Sequence, residues 1–233
     1  MWRNRIAECT SSGRAPDEVA LRGAVPAFGR GLLIGVGMFA AVIVNIAFVG
    51  GYEVRGLGSV TGAVALVGFM AAAVVVEELL FRGILFRIVE QRIGTWISLA
   101  LTGVLFGAAH LLNANATVWS AVAIAIEAGF MLAAVYAATR NLCVPIGVHF
   151  GWNFAQGGIF STSVSGQDAP QGLLDSVTSG PVLLSGGDFG PEASASSVLA
   201  GVVVTVAFLS LARKRGNIVP LRRRSAPADT LVR

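Results

Sequence analysis

Apolar runs of about 20 residues, separated by short polar clusters, set the pattern of this chain. They fall at residues 31–51, 59–77, 96–112, 118–139, 145–160 and 197–212. A run of that length spans the hydrocarbon layer as a helix. None shows the strict alternation of a barrel strand, so the spans are expected to be helical. The sequence predicts an all-α fold, a polytopic membrane helix bundle of about six transmembrane helices. The second helix should start near Ser59, pass through Glu77 and continue as an amphipathic stretch to about Arg92. Gly94-Thr95 reads as a turn with Thr95 as N-cap. Residues 113–117 form a turn and cap cluster, and Pro145 suits the first turn of the fifth helix. That fifth helix is short and is expected to be tilted or partly re-entrant.

The predicted organisation is an N-terminal arm (1–30), a transmembrane domain (31–212) and a basic tail (213–233). Within the domain, residues 161–196 are rich in Ser, Gly, Pro and Asp and read as a loop. Six spans put both termini on one side, and the charges agree. Arg3, Arg5, Arg14, Arg22 and Arg30 flank the first span; Arg213, Lys214, Arg215, Arg222, Arg223 and Arg224 follow the last. The turns at Arg87–Arg92 and at Arg140 fall on the same side. The loop opposite carries Asp168, Asp175, Asp188 and Glu192 and no Lys or Arg. Basic flanks stay cytoplasmic. The expectation is a multi-pass cell-membrane protein with both termini cytoplasmic and loop 161–196 outside.

Composition fits. Of 233 residues, 55% are hydrophobic and 13% charged, too apolar for an ordinary soluble domain. The net charge of +4 reflects topology and not nucleic-acid binding. The 29 glycines suit close helix packing in a bilayer. Cys9 and Cys143 both fall on the cytoplasmic side, so no disulfide is expected. The first apolar run starts late and is too long for a cleavable signal, so none is expected.

Charge inside such runs is costly and usually marks function. Glu77 and Glu78 end an uncharged stretch that begins after Arg55. Glu78 and Arg82 are four apart and share a helix face. Glu77 is turned about 100° away. One carboxylate can thus be neutralised while the other points elsewhere, which gives two adjacent acids two roles. His110 lies as far beyond the turn near residue 94 as Glu77 lies before it, so an antiparallel hairpin sets the two at one level. His149 and Asn153 share a face of the fifth helix, and their donors suit a developing oxyanion. The register suggests a hairpin that projects on the cytoplasmic side, with the site opening there. Glu127 is a further intramembrane acid that can line the cavity or pair with an arginine. Trp96 and Trp119 read as interfacial anchors; Trp152, between His149 and Asn153, can wall the site.

Three blocks carry a family resemblance: Glu77-Glu78-Leu-Leu-Phe-Arg82, Phe106-Gly-Ala-Ala-His110 and His149-Phe-Gly-Trp-Asn153. Together they resemble the CPBP family, the CAAX protease and bacteriocin-processing (Abi) intramembrane proteases. The match covers roughly residues 70–158. The resemblance implies peptide-bond hydrolysis in or beside the membrane, acting on a membrane protein or peptide. It implies that Glu77 and His110 hold and activate water, that His149 and Asn153 stabilise the oxyanion, and that Glu78 and Arg82 orient the helix and tune Glu77. The family was first classed as metalloproteases, and a glutamate-dependent mechanism is now favoured.

Zinc remains the alternative cofactor, with Glu77, His110 and His149 as ligands. His-Glu-x-x-His is absent, and Asn153 is a poor zinc ligand but a good oxyanion donor. Metal-free chemistry is therefore the preferred expectation. Two other classes stay open: a non-catalytic scaffold or immunity-type membrane protein, and a small transporter using the acids and histidines as a proton relay. The substrate itself and the oligomeric state are not legible in the chain.

Overall fold

The computed structural model describes residues 23–168 and 171–221. Most of the N-terminal arm, Cys9 included, and the tail from residue 222 lie outside the described residues.

Helix α1 is Ala24–Phe48, α2 is Val60–Ile93, α3 is Thr95–Leu112 and α4 is Val118–Thr139. Helix α5 is Cys143–Asn153, extended by a π-helical turn, Phe154–Ile159. Helix α6 is Ala195–Lys214. Five of these, all but α5, are long and apolar enough to cross a membrane. The bundle is an all-α membrane fold, and α5 is the short member that the sequence predicts. Helix α1 begins earlier than expected, at Ala24 rather than near residue 31. Pro26 lies in its first turn, where backbone N–H groups have no helical partner and proline costs little.

Ser59 caps α2 by accepting from Gly62 N, and Thr117 caps α4 through a capping box with Ser120. The expected Thr95 cap is not formed. Gly94, at φ 81°, takes the cap position, and Thr95 is the first helical residue. The Thr95 hydroxyl instead donates to Glu90 Oε1 at 2.6 Å and accepts from Val219 N at 2.8 Å. Glu90 also accepts from Arg140 at 3.0 Å, and Arg140 donates to the Asn217 carbonyl. This network closes the arginine-bearing end of the bundle.

Helix α4 is the central element: 72% of its apolar window is buried, against 22% for α2 and 17% for α6. Helices α1 and α5 cross at Gly31, Gly35, Gly147 and Gly151. An added Cβ at Gly35 would stand 2.1 Å from Val148 O, and one at Gly151 would stand 2.5 Å from Leu32 O. These small-xxx-small pairs bring backbones into contact and hold α5, with His149 between its two glycines, against α1.

At the other end, β1 (Tyr52–Leu57) pairs antiparallel with β2 (Leu174–Thr178), Tyr52 opposite Thr178. The sequence predicts loop for both. Their pairing partner is over a hundred positions away, so no local pattern announces it. β2 folds loop 161–196 back over the bundle.

Candidate active site

Glu77 and Glu78 occupy the last turn of the α-helical part of α2, Val60–Glu78. The helical repeat separates them as expected. The Glu78 side chain is fully buried, whereas that of Glu77 is 35% exposed. Glu78 Oε1 accepts from Arg82 at 2.8 Å and from His149 Nδ1 at 2.9 Å. Arg82 reaches across to α4 and donates to the carbonyls of Ala128 (3.1 Å) and Gly129 (3.2 Å). A buried cation thus has one carboxylate and two carbonyls for its donors.

Three π-helical segments adjoin these residues: Leu79–Phe86, which carries Arg82; Ala125–Phe130, which supplies the Arg82 acceptors; and Phe154–Ile159, directly after Asn153. Such wide turns recur at functional sites, where they re-aim side chains.

His149 Nε2 stands 3.8 Å from Glu77 Oε2. His110, at the end of the α-helical part of α3, contacts the Phe106 carbonyl through Nδ1 at 2.8 Å. Its Nε2 is the ring nitrogen left for other work. Phe106 joins the three motifs. The Arg82 guanidinium lies 4.5 Å from its ring centre, and the His110 and His149 rings lie 4.8 and 6.0 Å away. The sequence reading gave Phe106 no role, although its spacing of four from His110 placed it on the same face.

Glu77, His110, His149 and Asn153 all line one cavity of about 500 Å³. Glu78 and Arg82 stand behind it. Leu66, Phe69 and Met70 of α2 give the cavity an apolar wall, and residues 164–168 of the long loop form its polar rim. The opening is therefore on the side of β1, β2 and the acidic loop. The sequence predicts an opening at the opposite, cytoplasmic side, beside the α2–α3 hairpin. That hairpin does not stand clear: Glu90 and Thr95 tie it to Arg140 and the C-terminal segment.

Among the described residues Glu127 pairs with no arginine. It lines a small second cavity behind His149 and Asn153, which Trp152 also borders. Glu192 borders it too. The sequence predicts an outer acidic loop around Glu192, yet this residue is 2% exposed. Trp119 is more than an anchor, because its Nε1 donates to Ala193 O at 2.8 Å. Cys143 is unpaired.

The zinc ligand set does not assemble. Among the described residues no three His, Cys, Asp or Glu side chains gather closely enough to hold a metal ion. His149 Nδ1 is engaged by Glu78 and His110 Nδ1 by Phe106 O, which leaves both Nε2 atoms facing the cavity, an arrangement that suits a metal ligand as well as a hydrogen-bond donor.

Residues 59–155 match the family model described as type II CAAX prenyl endopeptidase Rce1-like. All three motifs lie within or across that segment, so the match bears out the family resemblance they carry. No curated protein and no solved structure matches the chain.

Proposed function

We propose, from the premise that residues 59–155 are a segment of the CAAX protease (CPBP) family, that this chain is an intramembrane endopeptidase. Its substrate is a membrane protein or peptide whose scissile bond enters the cavity from the bilayer or its surface. Glu77 takes a proton from a water held between it and His110. The oxygen of that water attacks the carbonyl carbon. The oxyanion is held by His149 Nε2–H and the Asn153 amide. Glu77 then passes the proton to the departing nitrogen as the C–N bond breaks.

The observation that carries this reading is the division between the two acids. Glu78 is fully buried and bonded to Arg82 and His149, while Glu77 alone faces the cavity that His110, His149 and Asn153 also line. No part of the reading needs a metal. By the arginine distribution, the protein sits in the cell membrane with both termini cytoplasmic. The cavity then opens toward the outer face.

The test is purified protein in liposomes, offered membrane-protein and peptide substrates. Wild type should release fragments that Glu77→Gln does not, with turnover down about 10²–10⁴-fold. Equal fragment release by the two would refute the role of Glu77. No release by either would favour a scaffold.

A further inference from the structure

The turn that carries Glu192 is built to send its side chain inward. Trp119 Nε1 binds the Ala193 carbonyl, and the Ser197 hydroxyl donates to Pro191 O at 2.6 Å. Gly190, at φ 109°, lets the chain pass where an added Cβ would stand 2.3 Å from Ser163 O. Glu192 Oε2 then accepts from the backbone N–H of Ser165 at 2.7 Å and from its hydroxyl at 3.1 Å. Ser165, at φ 50°, belongs to the rim of the catalytic cavity.

Across the small cavity stands Glu127. It is 1% exposed, and neither carboxylate oxygen has a hydrogen-bond partner. Trp152 Nε1 is also buried and is turned toward the Glu192 carboxyl. The space between these groups leaves about 10 Å³ for the centre of a water molecule, room for one. An unpaired buried carboxylate is costly, and two neighbouring acids in a dry site do not both ionise. A water in that space would donate to the unpartnered Glu127 oxygens. A proton kept on the acids removes their repulsion. Burial raises the Glu192 carboxyl to about 7 against the pull of its Ser165 bonds and of His149, which agrees with a retained proton.

We infer that Glu127 and Glu192 form a second, water-holding acidic site behind the catalytic cavity, and that Glu192 is a positioning residue latching rim 164–168 against the His149–Asn153 turn of α5. The inference rests on the protease reading only for its effect on turnover.

Two measurements test it without activity. In lipid nanodiscs at neutral pH, the infrared band of protonated carboxyl groups should weaken or shift in both Glu127→Gln and Glu192→Gln and stay in Glu77→Gln. A band unchanged by either of the first two overturns the shared-proton site. Thiol labelling of Val164→Cys, a half-buried rim position, with Cys9 and Cys143 replaced by Ala, reads the latch. Glu192→Ala should speed labelling about tenfold, as two lost hydrogen bonds allow. Glu192→Gln keeps an acceptor and should recover part of that protection. An unchanged rate in Glu192→Ala overturns the latch. If Glu192→Ala does not fold, Ser165→Ala removes one of the two bonds, and the same absence of effect overturns it. Turnover in Glu192→Ala should fall about tenfold with the latch. If wild type cleaves nothing, the protease reading fails while the infrared and labelling results still decide this one.

Discussion

Glu78 accepts a hydrogen bond from His149 Nδ1 at 2.9 Å, and this bond decides what the other side of the ring can do. A carboxylate only accepts, so Nδ1 carries the proton. Nε2 is then the nitrogen turned toward Glu77, 3.8 Å away. As an oxyanion donor it must hold the second proton, and a carboxylate on each side of the ring balances that imidazolium. The buried acid of the pair therefore sets the state of a histidine on another helix, which goes beyond tuning its neighbour.

Glu78→Gln should accordingly lower both turnover and stability. Its amide can donate to Nδ1 and reverse the tautomer. A lost hydrogen bond to a charged group is worth about ten- to a hundredfold in rate. Arg82 is left buried with two carbonyls and no counter-charge, a loss of about 3–5 kcal/mol where such pairs are broken. Glu77→Gln, in a half-open position, should leave the unfolding temperature near that of wild type. Thermal unfolding of the two variants side by side is the check, and equal losses would contradict the division of roles.

Glu192 predicts a pH dependence of stability. Its carboxyl is raised from 4.5 to about 7, with burial the largest cause. The folded state thus holds a proton that the unfolded state has already released. Below 4.5 both states are protonated and the stabilisation is fully present. Between 4.5 and 7 it declines as pH rises, and above 7 it is gone. The unfolding midpoint of wild type should fall between about pH 5 and 8. Glu192→Gln should flatten that slope. Parallel slopes for the two proteins would remove Glu192 as the cause.

The sequence made the helices legible because membrane spans are long uniform runs, and most boundaries follow from caps such as Ser59 and Thr117. The motif residues stood out because charge inside such runs is rare. Glu192 did not stand out. It sits among glycines and acids that look solvated, and its burial comes from the turn that packs it against α4 and Ser165. The π-helical turns left no hydrophobic signature either. Phe106 was readable in principle: one ring against Arg82, His110 and His149 explains why the second motif begins with an aromatic residue. The opening of the cavity was misjudged because distances along the helices say nothing about how a turn is tied down, and Glu90–Arg140 ties this one.

The side on which the cavity opens can be labelled directly. Gln167 lies on the rim, and Lys214 lies at the opposite, arginine-bearing end. In intact cells, single cysteines at these positions should differ toward a membrane-impermeant thiol reagent. Gln167→Cys should react from outside, and Lys214→Cys only after permeabilisation. The reverse pattern would place both termini outside and the cavity mouth in the cytoplasm.

Asn153 provides the sharpest separation between the metal-free and zinc mechanisms. It lies one helical turn after His149 and lines both cavities. Its amide can donate to the same oxygen as His149 Nε2. Removing one oxyanion donor typically costs about 10²–10³-fold in rate. Asn153→Ala should show a loss of that size, with little change in substrate affinity. Asn153→Asp should also fall below wild type, because a carboxylate repels an oxyanion unless it is protonated. If zinc did the chemistry, the aspartate would be tolerated as a further oxygen ligand, and a chelator would stop turnover. Both variants and wild type should therefore be assayed with and without chelator, followed by added zinc. Chelator-resistant turnover with a weakened Asn153→Asp supports the glutamate-activated water. Activity that a chelator removes and zinc restores would overturn it, and would make Glu77, His110 and His149 the zinc ligands.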